Sequence, residues 1–130
     1  MTDRDDFLAW LTASQRSAEL ALHNGDPEPR TRTWSHREPV TLFGAHYSAV
    51  GWDDVNAAFD RLGVSFGGYT RYEPELLTVE VHGDLAYTVG FENTDATFDG
   101  VASEFHLRVT QIYRREEGEW KVVHRHADNG

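Results

Sequence analysis

The chain has 130 residues, of which 39% are hydrophobic and 26% charged, a composition typical of one globular domain. Its net charge of −10 repels nucleic-acid phosphates and anionic lipids, so we expect neither as a partner. No apolar run approaches the roughly 20 residues of a membrane helix. The absence of cysteine excludes disulfides and thiolate sites. The acidic first residues lack a signal-peptide pattern, so we expect a cytoplasmic protein.

Three helices are predicted in the first half of the chain. Apolar residues recur at helical spacing over 3–23, Thr2 can cap this helix, and Asn24-Gly25 is a typical stop. Asp26-Pro27 favours the start of a short second helix that ends near Trp34. A third helix is expected from Trp52 or Asp53 to Leu62, ahead of Gly63.

The second half alternates between strand and turn patterns. A first strand, 40–43, follows a proline, which favours an edge position. Gly67-Gly68 indicates a break, and four strands are then predicted over 76–81, 85–93, 102–114 and 120–127. Helices ahead of an antiparallel meander indicate one α+β domain over 1–130, with the helices packed on one face of the sheet.

The register of the last hairpin decides which side chains point inward. A three-residue loop, 116–118, with glycine in the left-handed position is a common closure. It places Thr110 opposite His124 and Arg108 opposite His126. Strict alternation then puts these four residues on one face with His106. The opposite row carries the following residues: Phe105, Leu107, Val109, Gln111, Tyr113, Val123 and Arg125.

The preceding strand also has two different faces. Ala86, Thr88, Gly90 and Glu92 form one row, in which small side chains beside an ionisable one indicate space rather than a filled core. The other row carries Leu85, Tyr87, Val89 and Phe91. Since both sheet faces are partly apolar, we expect helices to cover one and a second subunit to cover the other, with Tyr87 and Tyr113 suited to that homodimer contact.

Several phrases of the sequence are similar to those of a known family. They are Trp34-Ser35, Val40 to Ala45, Gly51 to Val55, Gly83 to Tyr87, Leu107 to Thr110, and Gly118 to Asp128. Together they resemble the SnoaL-like branch of the nuclear transport factor 2-like superfamily over nearly the whole chain. The resemblance implies a cone, in which a curved sheet wraps against three helices around a small-molecule pocket, and dimers that form through the outer sheet face.

Members of this superfamily differ in function, so the fold does not select a reaction. The calcium/calmodulin-dependent kinase association domain resembles the last hairpin and has a pocket arginine at the position of Arg108. Its second pocket arginine falls near Glu92, where this chain has the opposite charge.

We expect Glu92, Arg108 and His126 to form the polar head of the pocket and to be its catalytic residues if the protein is an enzyme. In one interpretation Arg108 orients a substrate oxygen while Glu92 or a histidine moves protons. In the other, Glu92 and Arg108 form a structural ion pair that braces the sheet.

Other candidates line the pocket in this interpretation. His106, Thr110 and His124 share the face of Arg108, and the histidines could transfer protons, bind a metal, or pack through hydrogen bonds. Trp34, His36 and Trp52 lie near helix ends at the expected mouth, where an aromatic ring stacks on a ligand or closes the core.

No nucleophile elbow, phosphate loop or dinucleotide fingerprint is present, so we expect no cofactor. The leading hypothesis is a protein that binds a small, mostly apolar ligand and that, if catalytic, performs acid–base isomerisation, dehydration or cyclisation. The alternatives are a non-catalytic ligand-binding or dimerisation module, and a metal-dependent enzyme using His106, His124 and His126.

Overall fold

The computed structural model describes residues 2–130. Helix α1 (Asp3–Trp10), a π-helical turn (Leu11–Gln15) and α2 (Arg16–His23) follow one another without a break and form the first predicted helix. Helices α3 (Glu28–Thr33) and α4 (Trp52–Ser65) complete the three helical bodies. The strands are β1 (Thr41–Phe43), β2 (Ser48–Val50), β3 (Phe66–His82), β4 (Leu85–Phe98), β5 (Val101–Glu116) and β6 (Glu119–Asn129).

Local chemistry at the helix ends explains the helix boundaries. The Thr2 hydroxyl accepts a hydrogen bond from the Asp5 backbone N–H at 3.1 Å, and the Asp5 carboxylate accepts one from the Thr2 N–H at 3.2 Å. This reciprocal capping box satisfies donors that the first turn leaves free. At the other end, Gly25 follows α2 with φ +94°, a conformation that glycine adopts without strain.

The six strands form one curved, open sheet in the order β2-β1-β6-β5-β4-β3. All neighbouring pairs are antiparallel except β1 and β6, which are parallel. The α+β cone is therefore confirmed. The predicted edge position of the first strand is wrong, because β2, which the sequence analysis missed, pairs on its far side. Strand β3 also starts ten residues earlier than the predicted 76, and it continues through Gly67-Gly68.

The core lies between the concave sheet face and the helices. Phe7 of α1 packs edge-on against Tyr113 and Trp120, with ring centroids 4.8 and 5.1 Å apart. On the other side of the core, Trp34 packs on Phe59 of α4 at 5.1 Å. These large rings are almost entirely buried and therefore account for much of the apolar area removed from water.

One glycine allows β3 to lie close against β4. The strands shift register between Leu76 and Thr78, and this irregularity brings the Glu75 carbonyl oxygen next to Gly90. A Cβ at residue 90 would lie 2.1 Å from that oxygen, which is much closer than a van der Waals contact allows. Any side chain at residue 90 therefore forces the backbone of β3 away.

We expect Gly90→Ala to lower the free energy of unfolding by about 1–3 kcal/mol, because the added methyl forces the backbones of β3 and β4 apart. Urea denaturation measures this change. Gly67→Ala is the control, since a Cβ at Gly67 meets nothing within 4 Å and its φ is not in the left-handed region. Equal stability of the two variants would contradict the close approach.

Candidate functional site in the cone

Two cavities open inside the cone, one on each side of a buried ion pair. The first, which we call the Tyr113 cavity, has a volume of about 110 Å³. The second, the His23 cavity, has a volume of about 50 Å³. The polar and aromatic residues that line the Tyr113 cavity are Thr12, Gln15, Arg16, Tyr72, Thr88, Phe91, Glu92, Gln111 and Tyr113. Those that line the His23 cavity are His23, Arg30, His46, Tyr47, Phe66, Thr94, Phe105 and Arg125.

The ion pair between Glu92 of β4 and Arg125 of β6 separates the cavities. Both carboxylate oxygens of Glu92 accept hydrogen bonds from Arg125, at 2.8 and 2.9 Å. Glu92 lines the Tyr113 cavity, whereas Arg125 lines the His23 cavity. The two-pronged geometry holds both side chains in one orientation and forms a rigid partition.

A second buried ion pair extends this partition into the helices. Arg30 of α3 donates two hydrogen bonds of 2.8 Å to the carboxylate of Glu19 in α2. Arg125 also lies 3.5 Å from a Glu19 oxygen. The four side chains therefore alternate in charge, in the order Arg30, Glu19, Arg125, Glu92. Two positive and two negative charges cancel within the low-dielectric interior, which is the condition for burying them at all.

The alternation keeps these groups charged despite burial. Burial raises the pKa of Glu19, but Arg30 and Arg125 outweigh burial and lower the pKa to about 2. Burial lowers the pKa of Arg125, but the Glu92 carboxylate outweighs burial and raises it. Glu19 and Arg125 are therefore both ionised at neutral pH.

A chain of hydrogen bonds between neutral side chains continues from Arg125 across the floor of the Tyr113 cavity. Arg125 donates to the Gln111 carbonyl at 3.2 Å, and the Gln111 amide donates to the Tyr113 hydroxyl at 2.6 Å. Since the Tyr113 oxygen accepts from Gln111, its own proton is free to bond the Thr88 hydroxyl at 2.8 Å. Burial raises the pKa of Tyr113, so the phenol stays protonated.

Tyr72 differs from these groups, which all have hydrogen-bond partners within the protein. It is 8% exposed and lines the Tyr113 cavity, yet its hydroxyl makes no hydrogen bond to any side chain or backbone group of residues 2–130. Burial and, to a lesser degree, the nearby Glu92 carboxylate raise the pKa of Tyr72. Tyr72 therefore presents a neutral O–H donor to the cavity.

The structure places the predicted site residues differently from the sequence analysis. Glu92 faces the interior as expected, and its catalytic role stays a prediction. Arg108 and His126, however, lie on the outer sheet face with exposed side chains. Both contact Asp128, Arg108 at 2.7 Å and His126 at 3.4 Å. The expected contact between Glu92 and Arg108 is wrong, because Arg125 occupies the position facing Glu92.

The register error has a specific physical cause. The hairpin closes with two residues, Glu117-Gly118, so that Glu116 pairs with Glu119. The predicted three-residue loop is therefore wrong. A bulge then inserts Val123, since Tyr113 pairs with Val122 while Ile112 pairs with His124. A bulge reverses the alternation of all later side chains. Trp120 and Val122 point inward as expected. After the bulge, Arg125 and Ala127 point inward, whereas His124 and His126 do not.

The remaining predicted residues also lie away from the two cavities. His106 is exposed and hydrogen-bonded to Asn93, and Thr110 pairs with His126. His124 bonds the Thr41 hydroxyl at 2.7 Å. Trp34 belongs to the core, while His36 stacks on Trp52 at 3.9 Å beside a different surface depression. Tyr113, expected at the dimer face, is fully buried.

Sequence reasoning missed Glu19, His23, Arg30, Tyr72 and Arg125. A signal existed for two of them, since Glu19 and His23 are four residues apart, and so lie on one helical face, beside the apolar Ala18 and Leu22. A second signal was that Gln111 and Arg125 stand in a row of the last hairpin whose other side chains are apolar or aromatic. As to metals, the described part of the chain, 2–130, contains no group of three or more histidine, aspartate or glutamate side chains that could hold an ion.

We expect Glu19→Gln to lower the free energy of unfolding by about 3–5 kcal/mol, because it leaves Arg30 buried without its counter-charge. The free energy is measured by urea denaturation at pH 7. Glu28→Gln is the matched control, because Glu28 forms an exposed pair with Arg32 whose loss costs about 0.5 kcal/mol or less.

The pH dependence gives a second measure of the same interaction. The pKa of Glu19 is lowered on folding, so its stabilisation is complete above about pH 4.5 and is lost as the pH falls toward 2. The variant Glu19→Gln should lose this part of the acid dependence. An unchanged acid profile would show that Glu19 is not stabilised by its neighbours.

Several solved structures share this architecture. A suspected dehydratase of the nuclear transport factor 2-like family from Streptomyces avermitilis has a TM-score of 0.80 at 17% identity, with 98% of each chain covered. A ketosteroid isomerase-like protein from Erwinia carotovora atroseptica has a TM-score of 0.74 at 18% identity, covering 93% of this chain and 94% of the other. At these identities the likeness shows the fold alone.

A third structure, a nuclear transport factor 2-like protein from Cytophaga hutchinsonii, has a TM-score of 0.74 at 14% identity and covers both chains completely. No curated protein matches the sequence at a significant level. None of the helices described is both long and apolar enough to cross a membrane. The model of the SnoaL-like domain matches residues 16–127, and the chain therefore belongs to the SnoaL-like domain family.

Proposed function

We propose that this protein binds a small, mostly apolar molecule in the Tyr113 cavity and holds one uncharged oxygen of that molecule through the Tyr72 hydroxyl. The observation that carries the proposal is the free Tyr72 donor in a cavity whose other buried polar groups bond one another. The hydroxyl is not among the fully buried atoms that lack a partner, so it is accessible, and a carbonyl or ether oxygen of a ligand can accept a hydrogen bond from it.

The size and walls of the cavity support a ligand of this kind. Its volume of about 110 Å³ is close to that of an apolar cavity of about 150 Å³ that holds benzene in another protein. Leu11, Val109 and Phe91 contribute apolar wall. The π-helical turn also lines the cavity with Thr12 and Gln15, and such turns are frequent at functional sites because they widen a helix locally.

Charge favours an uncharged group at the buried end of the ligand. The carboxylate of Glu92 faces the cavity, and the guanidinium that would attract an anion is already bonded to it. Arg16, at the exposed rim, lies 5.6 Å from the Tyr72 ring. An acidic group on a ligand would therefore bind at the rim rather than at the floor.

Acid–base chemistry without a cofactor is the reaction class that fits such a cavity, and isomerisation or dehydration would belong to it. Glu92 is poorly suited to act as the base, because both of its carboxylate oxygens already accept hydrogen bonds from Arg125. The alternative is a non-catalytic ligand-binding or dimerisation module in which the ion pairs only brace the sheet. The complete internal pairing of the network favours a non-catalytic protein, and ligand binding separates a ligand-binding protein from a module that only dimerises.

We expect cyclohexanone to bind about tenfold more tightly than methylenecyclohexane, its analogue without an oxygen, because only the ketone accepts a hydrogen bond from Tyr72. Titration followed by protein NMR gives both dissociation constants. Tyr72→Phe should remove the preference for the ketone and leave the binding of the alkene unchanged.

Tyr87→Phe is the control, since Tyr87 lies on the outer sheet face and is 41% exposed. If neither compound binds to the wild-type protein, the ligand-binding function is wrong and the dimerisation module stands. If both bind but Tyr72→Phe keeps the preference, the polar contact lies elsewhere in the cavity.

We also propose that the outer sheet face forms a homodimer. Leu85 and Tyr87 of β4 and Ile112 of β5 are exposed, and Ile112 is the direct neighbour of Tyr87 across the strands. Such an apolar row on the convex side of the sheet is typical of a subunit contact, since it is costly to leave in water.

We expect Ile112→Lys to convert a dimer into a monomer, because the charge would be buried against its symmetry mate. Size-exclusion chromatography with light scattering measures the mass. Val64→Lys is the control, as Val64 is an exposed valine on α4, away from the sheet face. A wild-type protein that is already monomeric at high concentration would contradict the proposal.

A further inference from the structure

We propose that His23 is the proton acceptor of the cone: its Nε2 atom accepts a hydrogen bond from an acidic hydroxyl group, of the phenol or enol class, on a bound ligand. This inference rests on the proposed function, since it requires that the cone takes up a small molecule. It assigns a base to the His23 cavity, which lies on the other side of the ion pair from the Tyr113 cavity.

The hydrogen bond at the other ring nitrogen determines the protonation of His23. Its Nδ1 lies 2.6 Å from the backbone carbonyl oxygen of Glu19, one helical turn earlier. A carbonyl oxygen only accepts hydrogen bonds, so Nδ1 carries the proton and donates it. In the neutral imidazole Nε2 therefore carries a lone pair and can only accept.

This lone pair has no donor within the protein. His23 is 6% exposed, and no group of residues 2–130 donates a hydrogen bond to Nε2. His23 lines the His23 cavity, and its Nε2 is not among the fully buried atoms that lack a partner, so this nitrogen is accessible. An accessible, unpartnered acceptor beside a cavity is available to a hydroxyl group of a ligand.

The neighbours of His23 keep it neutral but able to take a proton. Burial lowers its pKa, the Glu19 carboxylate raises it, and Arg30 lowers it further, so the net pKa is below the ordinary value. The imidazole is thus unprotonated at neutral pH and available as a base. If it accepts a proton, the adjacent Glu19 carboxylate stabilises the imidazolium that forms.

The walls around His23 favour a planar, hydroxyl-bearing ligand. Phe66 packs edge-on against the imidazole at 4.7 Å, and Tyr72 lies 5.5 Å away. Tyr47 and Phe105 also line the cavity. Its volume of about 50 Å³ exceeds the roughly 30 Å³ share of one water molecule, so it accepts a hydroxyl group with a few attached atoms.

Proton transfer at this position involves only the ligand hydroxyl group and His23. The ligand O–H bond breaks, its electrons stay on the ligand oxygen as a phenolate or enolate, and the proton forms the N–H bond at Nε2. His23 is then a cation beside the Glu19 anion, and the return of the proton to a different ligand atom would complete an isomerisation. No external oxidant or cofactor is needed.

The test compares phenol with anisole, in which a methyl group replaces the hydroxyl proton. We expect phenol to bind the wild-type protein about tenfold more tightly than anisole, because only phenol donates to Nε2. In ¹⁵N NMR spectra, phenol should shift the Nε2 resonance of His23 and leave the protonated Nδ1 in place. His23→Phe retains a ring between Phe66 and Tyr72 and should bring the ratio of the two dissociation constants to about one.

His36→Phe is the matched control, because His36 stacks on Trp52 outside the cavities. Equal affinities of phenol and anisole in the wild-type protein would overturn the inference and indicate that water alone satisfies Nε2, while leaving the proposed function intact. A phenol-induced shift at Nδ1 rather than Nε2 would also overturn it. If neither compound binds although cyclohexanone does, the inference alone fails, because cyclohexanone tests the Tyr113 cavity; if cyclohexanone does not bind either, the inference fails together with the proposed function. The NMR measurement on the wild-type protein decides the matter even if His23→Phe does not fold.

Discussion

The alternating row of charges Arg30, Glu19, Arg125 and Glu92 is the interaction on which the interior of this protein depends. It connects α3 to α2, α2 to β6, and β6 to β4 across β5, so that it crosses from the helices to the sheet. Each carboxylate contacts a guanidinium, and the net charge of the row is zero. Replacement of one member leaves another charge buried without a partner, which is why such a row acts as a unit.

This row also determines what the cone can do. A carboxylate and a guanidinium that neutralise each other are rigid walls rather than reactive groups, and here they divide the interior into two small cavities. The groups left for a ligand are the neutral ones at the margins, the hydroxyl of Tyr72 and the imidazole of His23. Their ring centroids lie 5.5 Å apart, but Tyr72 lines the Tyr113 cavity and His23 lines the His23 cavity. The partition therefore leaves one neutral group to each cavity, a donor on one side and an acceptor on the other.

The bulge at Val123 shows how a single backbone irregularity changes the interpretation of a site. Strand β6 begins with Trp120 and Val122 in the core, and strict alternation would have continued that face through His124 and His126. The two-residue hairpin puts Arg108 on the outer face, and the extra residue in β6 then brings Arg125 inward, where it meets Glu92, and leaves both histidines outside. The bulge thus exchanges the two rows of β6: the histidines lie on the outer face and Arg125 lies on the inner face, without any change in the strand boundaries.

The sequence by itself determined the α+β class, the three helical bodies, the last four strands and the inward row of β4 that contains Glu92. These features follow from periodicity, capping and turn residues, which act over a few neighbouring positions. The tertiary structure decided the partner of Glu92, the free atoms of Tyr72 and His23, and the place of β2. Hairpin loop length and the bulge depend on how β5, β6 and the helices pack together. Local sequence carries little of that information, because a one-residue shift in strand pairing costs no free energy until the opposite face must be buried.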